Sequence, residues 1–142
     1  MLTTIKKATE NFCIHQIREL HQTIEGISKK RTLIAYIDID AQDGTSHRVY
    51  IASDEAFMQR VSYLFLEEEK SDEDTLIDMT LETANLIIGS AKVIAEEIAE
   101  NPYTIGTPHF VKLGIFDLKY DSAHTIIINE DEITIAIKEL HD

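Results

Sequence analysis

The chain is poor in cysteine, proline and glycine, and it lacks tryptophan: one, two, five and none among 142 residues. A single cysteine, Cys13, cannot form an internal disulfide, which is typical of a reducing compartment and predicts a cytoplasmic location. No apolar run approaches the roughly 18 to 20 residues that cross a bilayer. The first residues also lack the apolar segment of a signal peptide. We therefore expect a folded protein that does not enter a membrane.

Basic residues are scarce as well. The chain has 13 lysines and arginines against 26 aspartates and glutamates, which gives a formal net charge of −13. Nucleic acids and anionic membrane surfaces both require a basic footprint on their partners. The only basic run, Lys29-Lys30-Arg31, lies where a helix is predicted to give way to a strand, and it is interpreted as a solvated turn. Neither nucleic acid nor membrane is an expected partner.

The sequence also lacks the usual signatures of metal and nucleophilic catalysis. None of its six histidines pairs with a second histidine or a cysteine at metal-ligand spacing, so no metal site is predicted. No G-x-S-x-G elbow is present, and the dispersed glycines form no phosphate-binding loop. Cys13 lies on or near the apolar face of a predicted helix, which indicates a packed, inert thiol.

Hydrophobic periodicity predicts three helices and five strands. We expect helices at residues 4–25, at 54–66 with Ser53 as N-cap, and at 76–100 after a capping box that opens at Ser71. The predicted strands are 33–40, 48–52, 110–120 with a bulge at Gly114, 124–128 and 133–137. Short turns join neighbouring strands, which favours antiparallel pairing. The prediction is an α+β fold in which an antiparallel sheet of about five to six strands packs against three helices.

One polar stripe crosses the otherwise apolar third helix. Asp78, Glu82 and Asn85 stand at positions i, i+4 and i+7, so they share one face of the helix. Asn85 is a poor residue for a helix interior, and Gly89, the next residue on this face, also costs helix stability. A glycine after an amide would let another surface approach closely. We interpret the stripe as the working surface, although E-x-x-N alone is a weak signal.

The spacing makes the signal more specific. Four residues of the chain resemble the phosphatase signature of the CheC/CheX/FliY family in type and in spacing. Three residues separate Asp78 from Glu82, two separate Glu82 from Asn85, and twenty-two separate Asn85 from Pro108. No other asparagine has a glutamate three residues before it, so the chain resembles the CheX type, which carries one such site. Residues 1–142 are then expected to form a single CheX-like domain.

The resemblance implies hydrolysis of the aspartyl phosphate on a CheY-like receiver domain, which ends a chemotaxis or other two-component signal. Asn85 would hold the attacking water, and Glu82 would pair with the receiver's active-site lysine. Asp78 and Gly89 would support docking, and Pro108 would shape the loop that supports the helix. The chain needs no cofactor of its own, because the receiver supplies Mg²⁺. CheX-like proteins join sheet edges, so a homodimer is expected.

Two other interpretations remain open at this point. The chain could be a non-catalytic adaptor that docks a receiver or another signalling partner through the same helix face. It could also be a plain α+β domain whose stripe only decorates a solvent face. The intact Asn85 favours catalysis, because docking alone does not require a side chain that can position water.

Overall fold

The structure, a computed structural model, describes residues 2–17, 20–98 and 103–140. This part of the chain forms three helices and a seven-stranded antiparallel sheet, so the predicted α+β class is confirmed. None of its helices is both long and apolar enough to cross a membrane. The helices are α1 (Leu2–Asn11, continued by a π-helical segment, Phe12–Ile17), α2 (Glu55–Leu66) and α3 (Glu73–Glu97). The strands are β1 (Gln22–Glu25), β2 (Arg31–Ala41), β3 (Ser46–Asp54), β4 (Tyr103–Ile105), β5 (His109–Ile115), β6 (Ser122–Ile128) and β7 (Asp131–Leu140).

The sheet order is β1-β6-β7-β3-β2, and both β4 and β5 pair with the free edge of β2. The two strands take different stretches of that edge: β4 pairs with residues 39–41 and β5 with residues 31–36. They therefore act as two halves of one edge strand, which is interrupted at residues 106–108. Two hairpins, β2–β3 and β6–β7, build the centre of the sheet.

All three helices pack on one face of the sheet, and the main core lies between the two layers. Alternate side chains of the strands point into this core, as the pleat of a strand requires. They are almost all branched aliphatics, which suits a half-buried pleated surface. The buried strand residues of this core are Leu33, Ile37, Ile39, Val49, Ile51, Tyr103, Ile126, Ile128, Ile133, Ile135 and Ile137.

A second, smaller cluster covers part of the outer face of the sheet. After β5 the chain folds back over this face, where Phe116 packs edge-on against Tyr50 with ring centroids 5.5 Å apart. The predicted strand from residue 110 to Tyr120 is therefore wrong beyond Ile115. The large apolar side chains of this segment continue the strand pattern in sequence, but Phe116 is buried and Leu118 half-buried on the outer face instead, and Tyr120 is exposed.

The first helix is shorter than predicted. Residues 4–17 are helical, but β1 then runs antiparallel to β6, where a helix to residue 25 was expected. Gly26 is not a helix stop: it has a φ of +95° and its N–H donates to the carbonyl of Ala123. The apolar residues Ile17 and Ile24 fit helical spacing, yet pairing with the open edge of β6 outweighs that local preference.

The predicted N-caps are each displaced by one residue. Asp54, the last residue of β3, caps α2 in place of Ser53, because its carboxylate accepts a hydrogen bond from the backbone N–H of Phe57. Asp72, not Ser71, caps α3. In both places an aspartate next to the predicted serine supplies the oxygen, so the predicted capping box is wrong although the predicted helix is present.

The edge strands differ from the prediction in two further respects. The bulge lies at Val111, the extra residue between the pairs formed by Phe110 and Lys112, and not at Gly114. The short strand β4 was not predicted at all. The predicted helix stop at Asn101-Pro102 lies outside the described residues.

Candidate functional site

The site is built on α3, whose start is fixed by its cap. The Asp72 carboxylate accepts a hydrogen bond of 2.8 Å from the N–H of Thr75. Glu73 and Asp74 lie in the first turn, where negative charge is favoured by the helix dipole. Capping and charge together define where the helix begins.

The buried face of α3 sets how the helix is rotated. This face packs against β2 and β3, against the edge strands β4 and β5, and against α1 and α2. Many of its residues are small, which lets the helix lie close to its neighbours, and the hydroxyl of Thr80 is satisfied by the carbonyl of Leu76. The buried residues are Leu76, Met79, Thr80, Thr83, Ala84, Ile87, Ile88, Ala91 and Ala95. The opposite face is consequently fixed toward solvent.

Asp78, Glu82 and Asn85 all lie on this exposed face. Standard helix geometry places Glu82 about 4.5 Å along the axis from Asn85 and about 60° around it. Asp78 lies about 10 Å from Asn85 along the axis and only about 20° around it. Within the described part of the chain, none of the three side chains takes part in a hydrogen bond or an ion pair. Two carboxylates and an amide are thus free to meet a partner.

Gly89 continues the stripe by one turn. A Cβ atom placed there would find nothing within 4 Å, so the surface is open at this point. Two exposed apolar residues lie beside it, Leu86 with 39% and Val93 with 53% of its surface accessible. Neither was singled out from the sequence, although a helical wheel places both next to the polar stripe. Ile98, expected on the buried face, is exposed at the end of the helix.

Pro108 does not lie on α3. It occupies the interruption between β4 and β5, where proline's missing N–H costs no ladder hydrogen bond. Just before it, the N–H of Gly106 donates to the carbonyl of Asp38 at 2.8 Å. A Cβ on Gly106 would lie 3.1 Å from that same oxygen, so the close approach favours glycine. Because α3 packs on β2, β4 and β5, Pro108 belongs to the layer that carries the helix.

The other chemically active side chains lie away from the stripe. Cys13 is buried as predicted, and burial, with a smaller contribution from Glu10, raises the pKa of its thiol to about 12, so the nucleophilic thiolate is suppressed. The described residues contain no cluster of histidine, cysteine and carboxylate side chains that could hold a metal ion. One group was missed: His124 is buried, and burial lowers its pKa to about 4.

Comparison with protein families adds a decisive observation. Residues 34–130, which contain the whole motif, match the family described as "Chemotaxis phosphatase CheX". The chain belongs to the CheX family. No curated protein sequence matches the chain.

Solved CheX structures share the fold along nearly the whole chain. CheX from Vibrio vulnificus is similar with a TM-score of 0.80 and 16% identity, over 98% of each chain. CheX from Desulfovibrio desulfuricans gives a TM-score of 0.76 and 15% identity, over 97% of each chain. CheX from Borrelia burgdorferi, solved in a complex with CheY, BeF₃ and Mg²⁺, gives 0.71 and 14% identity, over 96% of this chain and 97% of that one. At such low identity these likenesses concern the fold of the CheX family.

Proposed function

We propose that this chain is a phosphatase that hydrolyses the aspartyl phosphate of a CheY-like receiver domain and so ends a chemotaxis or other two-component signal. The observation that carries the proposal is the exposed stripe of α3. Its three motif side chains stand side by side and form no hydrogen bond or ion pair with the rest of the described protein. Groups held on a rigid element without an internal partner are suited to act on something outside the molecule.

Asn85 carries the chemistry in this proposal. Transfer of a phosphoryl group to water depends on placing the water in line with the leaving oxygen and on stabilising the equatorial oxygens. The receiver supplies Mg²⁺ and a lysine for those oxygens, so the chain needs no cofactor of its own. An amide side chain offers both a donor and an acceptor. Asn85 can therefore fix the attacking water without a shifted pKa.

The remaining motif residues hold the partner in register. Glu82, less than one turn from Asn85, pairs with the receiver's active-site lysine through a charge-assisted hydrogen bond. Asp78, one turn further toward the N-terminus, contacts the receiver's backbone. Gly89 leaves room for the receiver surface, and Pro108 supports α3 from the edge strand. These roles agree with a helix whose opposite face is buried, which fixes its rotation relative to a partner.

The choice of a receiver as partner is supported by the solved relative from Borrelia burgdorferi, in which CheX is bound to CheY together with BeF₃ and Mg²⁺. The matching family is also described as a chemotaxis phosphatase.

Phosphate release from a phosphorylated receiver tests the proposal. The wild-type chain should accelerate release by roughly 10²-fold, and Asn85→Ala should remove most of that gain, because positioning the water is its main contribution. Glu82→Ala should lower both the rate and the affinity. Glu97→Ala, an exposed carboxylate on α3 off the stripe, is the matched control and should behave as the wild type.

The adaptor interpretation predicts a different pattern. An adaptor would bind the phosphorylated receiver tightly and leave the rate of phosphate release at the receiver's own value. If the wild type does so, the phosphatase proposal is wrong and the stripe serves docking alone.

A further inference from the structure

α3 carries a single cation, and this cation lies on the same face as the motif. Between Glu73 and Glu97 the only basic residue is Lys92, against six carboxylates. Lys92 follows Asn85 by seven residues, which places it about 10 Å along the axis and only about 20° around it. Asp78, Glu82, Asn85, Gly89 and Lys92 therefore form one line along the helix.

The space between Asn85 and Lys92 is open. Gly89 lies midway between them, and a Cβ there would meet no other atom within 4 Å. A lysine side chain is long and flexible, so its ammonium group can extend over the glycine toward the motif. A partner that covers Asn85 and lies against Gly89 must therefore also come within reach of Lys92.

Lys92 is held at a groove but is not neutralised there. It is half-buried, and together with Asp40, Glu96 and Thr104 it lines a groove of about 350 Å³ between α3 and the strands β2 and β4. Among the described residues Lys92 takes part in no ion pair. By contrast, Arg48 is paired with Asp38, and four other basic side chains are also paired with carboxylates. A lysine that forms no ion pair within the described part of the chain is available to an incoming carboxylate.

We propose that Lys92 is a specificity residue that pairs with a carboxylate of the receiver at the rim of its phosphorylated pocket. This inference rests on the proposed function and extends the docking surface across Gly89 toward the groove beside β4. The chemistry of the partner supports it. A pocket that binds Mg²⁺ next to a phosphoryl group uses carboxylates to hold the metal, so carboxylates lie close to the place where Asn85 is proposed to dock.

The pairing also relieves an electrostatic problem. The chain carries a formal charge of −13 and presents two carboxylates beside Asn85. Such a surface repels an acidic partner unless a local cation compensates. A charge at the rim of an interface acts mainly on the rate of association and on its dependence on salt. Lys92 should therefore govern how readily the receiver docks, and the chemical step should depend on it little.

Charge reversal at Lys92 tests the inference, with Lys138 as the matched control. Lys138 is also half-buried and outside the ion pairs of the described residues, but it lies on β7 and its strand position faces the outer side of the sheet. Lys92→Glu and Lys138→Glu both change the net charge by −2. Each variant is titrated with the purified CheY-like receivers of the same cell, loaded with beryllofluoride and Mg²⁺, at low and high salt.

At low salt, Lys92→Glu should weaken binding by about tenfold, mainly through slower association, and added salt should shrink the difference. Lys92→Gln should fall between the wild type and Lys92→Glu. Lys138→Glu should stay within about twofold of the wild type, because its charge change lies far from the interface. Circular dichroism at each salt concentration checks that every variant is folded.

Equal binding by Lys92→Glu and Lys138→Glu would overturn the inference, even if the wild type accelerates phosphate release and the proposed function stands. If the wild type binds the loaded receiver but does not accelerate release, the proposed catalysis fails and the effect at Lys92 still decides the docking surface. If the wild type binds none of the receivers, both are wrong.

Discussion

Gly89 combines a cost in stability with an expected gain in docking. A glycine in the interior of a helix is less stable than alanine by about 0.8 to 1 kcal/mol. Because a Cβ at this position meets no other atom within 4 Å, Gly89→Ala should raise the free energy of unfolding by about that amount. The same methyl group would stand where the receiver is proposed to approach. Phosphate release should therefore slow by roughly tenfold when the concentration of the receiver is limiting.

Urea unfolding and phosphate release, measured on the same preparation, check this prediction. Ser90→Ala, which improves helix propensity next to the stripe without altering it, is the control and should not slow release. A Gly89→Ala variant that is more stable and fully active would show that the glycine has no part in docking.

His124 is the buried group whose ionisation should shape the stability of the fold. Its side chain lies under α1, and neither ring nitrogen has a hydrogen-bond partner among the described residues. Burial lowers its pKa to about 4; Lys6 lowers the pKa further, and Glu10 opposes this in part. Other charges near its end of β6 are those of Glu25 and Asp121. The neutral ring is therefore the form that the folded protein accepts.

The direction in which pH changes the stability follows from the pKa of His124 in the folded and the unfolded state. In the unfolded chain the imidazole has its ordinary pKa of about 6.5, so between roughly pH 6.5 and 4 the unfolded state binds more protons. The contribution of the neutral His124 ring to the free energy of unfolding is complete above the pKa of the unfolded state. It is lost as the pH falls toward the pKa of the folded state. Between about pH 7.5 and 5.5 this group should cost the wild type about 1 kcal/mol of unfolding free energy. His124→Leu should lack that loss in urea titrations, and an identical pH dependence in the variant would contradict the account.

At the scale of single elements, the β6–β7 hairpin contains a strained turn. Asn129 and Glu130 both have positive φ, 49° and 82°, as a two-residue turn of this kind requires. Asparagine tolerates this conformation, but for glutamate it costs about 1 to 2 kcal/mol of free energy. Glu130→Gly should therefore raise the free energy of unfolding by about 0.5 to 1 kcal/mol, measured by urea titration.

Glu130→Ala is the control for this turn. It removes the same carboxylate but keeps the Cβ, so the backbone strain remains and no comparable gain is expected. If alanine stabilises the hairpin as much as glycine does, the effect comes from charge and not from the backbone.

Elements with strong local signals were predictable from the sequence, and those that depend on pairing elsewhere were not. The interior of α3 and the strands β2, β3, β6 and β7 follow from periodicity and turn residues. β1 exists because the edge of β6 is open to it, and β4 because the edge of β2 extends beyond β5. The Val111 bulge depends on the register between β5 and β2 and has no local marker. The caps moved by one residue because neighbouring serine and aspartate are both good caps.

At the scale of the whole molecule, one part of the candidate site was predictable from the sequence and another part was not. The line of Asp78, Glu82 and Asn85 follows from helix geometry alone, and the structure places all three on the exposed face. The proposed role of Lys92 could not be predicted from the sequence, because the groove beside it is formed by β2 and β4, which are distant from α3 in sequence. The homodimer stays a prediction: β1 at one end of the sheet and β4 with β5 at the other are the edges that a second copy could join.

The central claim is that α3 brings a water-positioning amide to the phosphoryl group of a receiver, and one paired measurement on Asn85→Ala tests it most directly. In parallel, the rate of phosphate loss from a phosphorylated receiver and the affinity for the beryllofluoride-loaded receiver are measured for the wild type and the variant. The account predicts that the variant loses roughly 10²-fold in rate while its affinity stays within about twofold. A variant that accelerates phosphate loss as strongly as the wild type would contradict the account.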